Sequence, residues 1–122
     1  MRVSTIQVGD KSVILVDCSN MTTAQADEIK LTLNEAKERV ASNPEKSVYI
    51  ITVLTNLKFN TDITNEFKEY ATANTKYVKE SVLVGLSGLQ SIILSAVKKL
   101  TKREFYLSNS LSDAKEYLTT CN

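Results

Sequence analysis

The 122-residue chain has no histidine, no tryptophan, one proline, three glycines and two cysteines. Without imidazole there is no Ser–His or Cys–His nucleophile, no histidine general base and no histidine-ligated metal site. Cys18 and Cys121 stand near opposite ends of the chain, outside any C-x-x-C pair. Two thiols alone do not make a structural zinc site. A bridge between them stays open in principle, but the reduced state is expected in a chain without an export signal. So few prolines and glycines leave no room for a flexible linker. A charge excess is missing too: 15 Lys and Arg against 14 Asp and Glu give a formal +1. Such a balance supplies no field to hold nucleic acid, which is not an expected partner. No apolar run approaches the ~20 residues of a membrane span. The start, Met1 to Gln7, lacks the apolar stretch of a signal peptide, so the cytosol is the expected compartment.

What remains is ordinary globular composition, 43% hydrophobic and 24% charged. A chain of this length buries roughly two-thirds of its unfolded surface, enough for one core, and a single domain over residues 1–122 is expected. Thr5-Ile6-Gln7-Val8 alternates like a strand. Gly9-Asp10 is a Gly-first pair suited to a type II′ hairpin, and Ser12 to Asp17 returns as a second strand buried on both faces. Thr22-Thr23-Ala24-Gln25 has capping-box spacing. Behind it Ala26, Ile29, Leu33, Ala36 and Val40 form one helical stripe that Asn43-Pro44 ends. Ser47 to Leu54 is a β-branched central strand. After the loop from Thr55 to Asn60, Thr61 or Asp62 is the expected cap of a helix with Ile63, Phe67, Tyr70, Ala71 and Asn74 inward. Ser81 to Leu86 reads as a buried strand. Ser87-Gly88-Leu89-Gln90 is a second capping-box pattern, and Leu89, Ile92, Ile93, Ala96, Val97 and Leu100 follow at helical spacing. Lys98, Lys99, Lys102 and Arg103 collect where that helix should end, suited to its dipole. Glu104 to Ser108 is the last strand, and Ser110 caps a final helix with Leu111, Ala114, Tyr117 and Leu118 inward.

The order β-β-α-β-α-β-α-β-α predicts an α/β fold: an N-terminal hairpin, then a mixed five-stranded sheet covered by helices. In a chain of this size it resembles the STAS-like fold of bacterial anti-sigma-factor antagonists, and within it the small stand-alone STAS/SEC14-like domains. The stretches carrying the resemblance are Lys76 to Leu89, Val97 to Phe105 and Leu111 to Leu118, the last with Tyr117 where those domains usually have tryptophan. The resemblance implies a non-enzymatic interaction module with a protein partner and no cofactor. In partner-switching antagonists, a Ser or Thr at the start of the helix after the central strand is phosphorylated by a kinase that is also the binding partner. Thr61 falls at or beside that acceptor position. Asn60 replaces the Asp of the family pattern, and the Ser and Gly that follow there are missing.

The residues themselves leave alternatives open. Thr61 is either a phosphoacceptor favoured by the helix dipole or an ordinary N-cap. Leu57 and Phe59, with Asn60 and Asp62, either present a surface for a partner or a lipid-like ligand, or fold back over the core. Ser87, Gly88 and Leu89 either form an anion-accepting helix start or a tight cap with close packing. Leu31, off the first helix's stripe, is a candidate homo-oligomer contact. Asp62 and Glu66 share one helix face as a solvated first turn rather than as an acid/base pair. The expected partner surface is the loop from Thr55 to Asp62 with the helix it leads into. The alternative is a small-ligand carrier, binding a lipid-like or anionic molecule near Phe59, Ser87 and Leu89.

Overall fold

A computed structural model describes residues 2–121, and the side chains of residues 88–90 lie outside that description. Strands β1 (Val3–Val8), β2 (Lys11–Asp17), β3 (Val48–Val53), β4 (Val78–Val84) and β5 (Tyr106–Ser108) form one sheet in the order β1-β2-β3-β4-β5. The first pair is antiparallel and the other three are parallel. Helices α1 (Ala26–Ala41), α2 (Thr61–Asn74), α3 (Gly88–Thr101) and α4 (Leu111–Thr119) alternate with the strands, a 3-10 turn over Thr23–Gln25 leading into α1. The expected element order holds throughout.

The hairpin closes at Gly9, whose φ of +63° suits the first position of a II′ turn, while Asp10 stays outside the left-handed region. Alternation along each strand then sorts side chains between two faces. Ile14, Val16, Ile50, Leu54 and Leu83 meet the inward stripes of α1 and α2. Val13, Ile51, Val82 and Val84 meet Ala114 and Leu118 of α4 on the opposite face. The stripes predicted for α1 and α2 are the buried ones, from Ile29 to Val40 and from Ile63 to Asn74. Gln25 Oε1 accepts from Thr22 N at 2.9 Å, as the capping-box spacing requires.

Three sequence expectations need correcting. The cap of α2 is Asn60, whose Oδ1 accepts from Ile63 N at 2.9 Å, and not Thr61 or Asp62. The fourth strand starts three residues earlier than the β-branched run and stops at Val84, because Gly85 turns left-handed at φ +79°. The third correction concerns α3. Of its predicted stripe only Val97 is buried among the described residues, and Ile92 and Leu100 are 68% and 59% exposed. Leu94, absent from that stripe, packs on the core instead. At this end the sheet offers only the three-residue β5, too narrow to cover a full apolar face.

Both cysteines are free thiols. Cys18 is fully buried, and burial pushes its thiol up to about 12 from the ordinary 9.0. A raised thiol stabilises the fold fully below pH 9.0, and this contribution is lost as pH climbs toward about 12. An aromatic disulfide reagent at neutral pH is expected to label Cys121 alone in the native protein and both cysteines in guanidinium. Rapid native labelling of Cys18 would contradict its burial.

Candidate functional site

The loop after β3 decides what the surface offers. Asn56 is left-handed at φ +57°, and so is Asn20, at φ +60°, in the loop after β2. Short polar side chains tolerate that geometry best. The two side chains bond each other, Asn56 Nδ2 donating to Asn20 Oδ1 at 3.1 Å. Asn20 N donates to Thr55 O at 2.8 Å and Lys58 N to Met21 O at 3.0 Å, so the loops are laced together. That lacing sets the facing of the next residues: Asn56, Lys58 and Asn60 point out, Leu57 is buried, and Phe59 is half-buried.

Leu57 is therefore core and no part of an exposed contact surface, which corrects its expected role. Phe59 turns onto α2, its ring 5.4 Å from that of Phe67 and tilted by 55°. Phe67 meets Tyr70 edge-on at 6.0 Å. Thr61 and Asp62 are exposed on the first turn of α2. Ser87 is exposed just ahead of α3, its carbonyl accepting from Ser91 N at 3.2 Å. The side chain of Leu89 and the surroundings of Gly88 lie outside the described residues.

Phe59 leads to a feature that no motif announces. Between α2, α3 and the sheet lies a cavity of about 50 Å³, walled by Phe59, Phe67, Ala71, Leu83, Leu86, Ile93, Leu94, Val97 and Phe105. One water needs about 10–15 Å³ on this measure, and about 150 Å³ admits benzene. The space thus fits a short alkyl segment. Thr52, Tyr70, Asn74, Ser81 and Arg103 add polar groups to this apolar lining. Thr52 Oγ1 and Tyr70 OH are 3.0 Å apart and bonded, and burial holds the Tyr70 phenol well above its ordinary range.

Arg103 reaches this place through a chain reversal. The helix α3 ends at Thr101, and Lys102 is left-handed at φ +57° with its N–H donating to Lys98 O at 2.8 Å. That is an αL helix stop. The next residue is thereby turned beneath the helix, and Arg103 Nη1 donates to Ala71 O at 2.8 Å across to α2. Its guanidinium lies 4.7 Å from the centroid of the Phe105 ring. Burial lowers the pKa of this arginine, with Tyr70 as an opposing influence. In the sequence it is the last of four cations at a helix end, with nothing to separate it from Lys98, Lys99 and Lys102.

Among the described residues no cluster of metal-binding side chains is found. What the site presents is a mostly apolar slot with one cation in its wall. Among the described residues no helix is long and apolar enough to cross a membrane.

No family model matches the chain, and no curated protein does. A solved structure does match. It is an uncharacterised protein of the DUF3478 family from Shewanella loihica PV-4, described as having a SpoIIAA-like fold. The two share 15% of residues, and the match covers 95% of this chain and 91% of that one at a TM-score of 0.63. Likeness at this identity speaks for architecture, and the strand order and helix placement agree with it. The chain has the SpoIIAA-like fold, which is the fold of STAS domains and anti-sigma-factor antagonists.

Proposed function

We propose that this protein is a non-catalytic STAS-like binding domain, and that the cavity between α2 and α3 takes the apolar part of a small amphipathic molecule. One observation carries this reading: the cavity is lined by apolar side chains from two helices, two strands and three loops. Well-packed interiors hold few voids larger than a water. The wall formed by α3 is the thinly held one, since Val97 is the only buried residue among its described positions. A ligand larger than the slot would therefore be admitted on that side. Native mass spectrometry of freshly purified protein, with a thermal-shift panel of alkyl compounds, is expected to find a bound mass or a stabilising ligand. The variant Ala71→Leu, which fills the slot, should weaken binding at least about tenfold while keeping the fold, because the added carbons enter empty space. Equal binding by wild type and variant would place the ligand elsewhere.

A second reading, a protein partner, has its own observation. With Leu57 buried, the exposed apolar surface has moved from the expected loop to α3 and the sheet edge, at Ile92, Leu100 and Leu107. Thr61 remains accessible on the same molecule as a candidate phosphoacceptor. On this reading, Ile92→Asp with Leu100→Asp abolishes retention of a specific partner in a pull-down, whereas Leu57→Asp acts only by unfolding the protein. Retention that survives the double change would reject α3 as the contact. Phosphate incorporation by a partner kinase should vanish in Thr61→Ala, and unchanged incorporation would remove Thr61 as acceptor.

A further inference from the structure

The cavity's one charged group narrows what the ligand can be. Arg103 is half-buried and shares the cavity wall with Leu83, Val97 and Phe105. Among the described residues it forms no ion pair, while Arg2, Arg39 and three lysines do. Its side chain makes one hydrogen bond among them, to Ala71 O. A guanidinium carries five N–H donors in a planar fork matched to a carboxylate. A cation drawn out of water and left without a counter-charge is costly, and an anion beside it recovers that cost. We propose that the ligand of this cavity is an amphipathic monoanion, an alkyl carboxylate, its carboxylate paired with the free edge of Arg103 and its chain in the slot between α2 and α3. The assignment rests on the ligand-binding reading above. A single cation in a mostly apolar wall matches one negative charge and one alkyl tail better than the two charges of a phosphate dianion.

A purely structural role for Arg103 makes a different forecast. The arginine also holds a carbonyl in the last turn of α2, near the negative end of that helix dipole. If that were its whole purpose, removing it would lower stability without touching ligand choice. The test compares octanoate, octanol and octylamine, which share a tail and differ in charge, by isothermal titration at pH 7 on the full chain. Wild type is expected to bind octanoate at least about tenfold more tightly than octanol, the gain of one charge-assisted pair, and octylamine most weakly. Arg103→Gln should erase the preference for octanoate, and Arg103→Lys should keep part of it. Circular dichroism of both variants separates unfolding from lost recognition, and the comparison among ligands on wild type needs no variant. Octanol binding as tightly as octanoate, or a preference surviving in a folded Arg103→Gln, would overturn the anion assignment while leaving the cavity as an apolar site. Failure of all three to bind would overturn both.

Discussion

Replacing Gly85 by alanine is expected to lower the unfolding free energy by about 3 kcal/mol, the sum of a left-handed L-residue and an overpacked contact. Gly85 stands at φ +79° where β4 ends, and its N–H donates to Ser108 O of β5 at 2.9 Å. A Cβ there would run into Thr55 Oγ1 and come within 2.9 Å of Thr55 Cα and Cβ. Neither side can yield cheaply, because Thr55 is tied through its carbonyl to Asn20 N and Gly85 is tied to the edge strand. For a domain of this size the loss amounts to a fall of roughly 10 °C in the thermal midpoint. Gly9→Ala is the control. It shares the left-handed geometry at φ +63° but has open space around it, so it should cost only about 1 kcal/mol. Calorimetry of both variants checks the pair. A Gly85→Ala midpoint no lower than that of Gly9→Ala would mean that the close approach of the two loops is wrong.

Leu118→Ala should cost about 2–5 kcal/mol, the range for a buried leucine whose surroundings collapse only partly. Leu118 is fully buried, and with Ala114 it is the part of α4 that enters the core on this face of the sheet, against Ile51, Val82 and Val84. The remaining anchors of α4 are peripheral. Tyr117 stacks on Tyr106 with centroids 3.6 Å apart and 6° between the planes, and its hydroxyl donates to Glu80 Oε1 at 2.7 Å. These contacts lie near the surface and cannot replace the lost burial. Urea unfolding should show the loss as a lower midpoint at unchanged slope. Leu31→Ala, at a leucine 69% exposed, should stay within about 0.5 kcal/mol of wild type. If the two variants were equally stable, α4 would not be packed through Leu118.

Where the sequence was legible, one physical signal dominated. The stripes of α1 and α2 contain only positions that face the sheet, so spacing alone identifies Ile29, Leu33, Phe67 and Tyr70 as core. The central strands β2 and β3 were legible because both of their faces are covered, leaving apolar, β-branched runs. The same logic misreads α3. Its apolar positions are more numerous than the sheet edge can bury, and periodicity cannot tell which of Ile92, Ile93 and Leu94 turns outward. Leu57 and Phe59 were undecided for another reason. Their facing depends on Asn20 and Asn56 meeting across 36 residues of sequence, a contact no local pattern announces. The cavity is of the same kind: Phe59, Ala71 and Phe105 become neighbours only when α2 and α3 lie side by side. Arg103 leaves its cationic group because Lys102 is left-handed, and lysine carries no turn signal.

A nitrogen–proton correlation spectrum of the labelled protein, titrated with octanoate, tests the binding site most directly. The shifts should concentrate on amides of Ala71, Leu83, Val97, Arg103 and Phe105, which surround the cavity from both helices, β4 and the approach to β5. Residues of α4, on the far face of the sheet, should remain still. Shifts confined to α4 and the β1–β2 hairpin, or a spectrum unmoved at saturating octanoate, would contradict a ligand between α2 and α3.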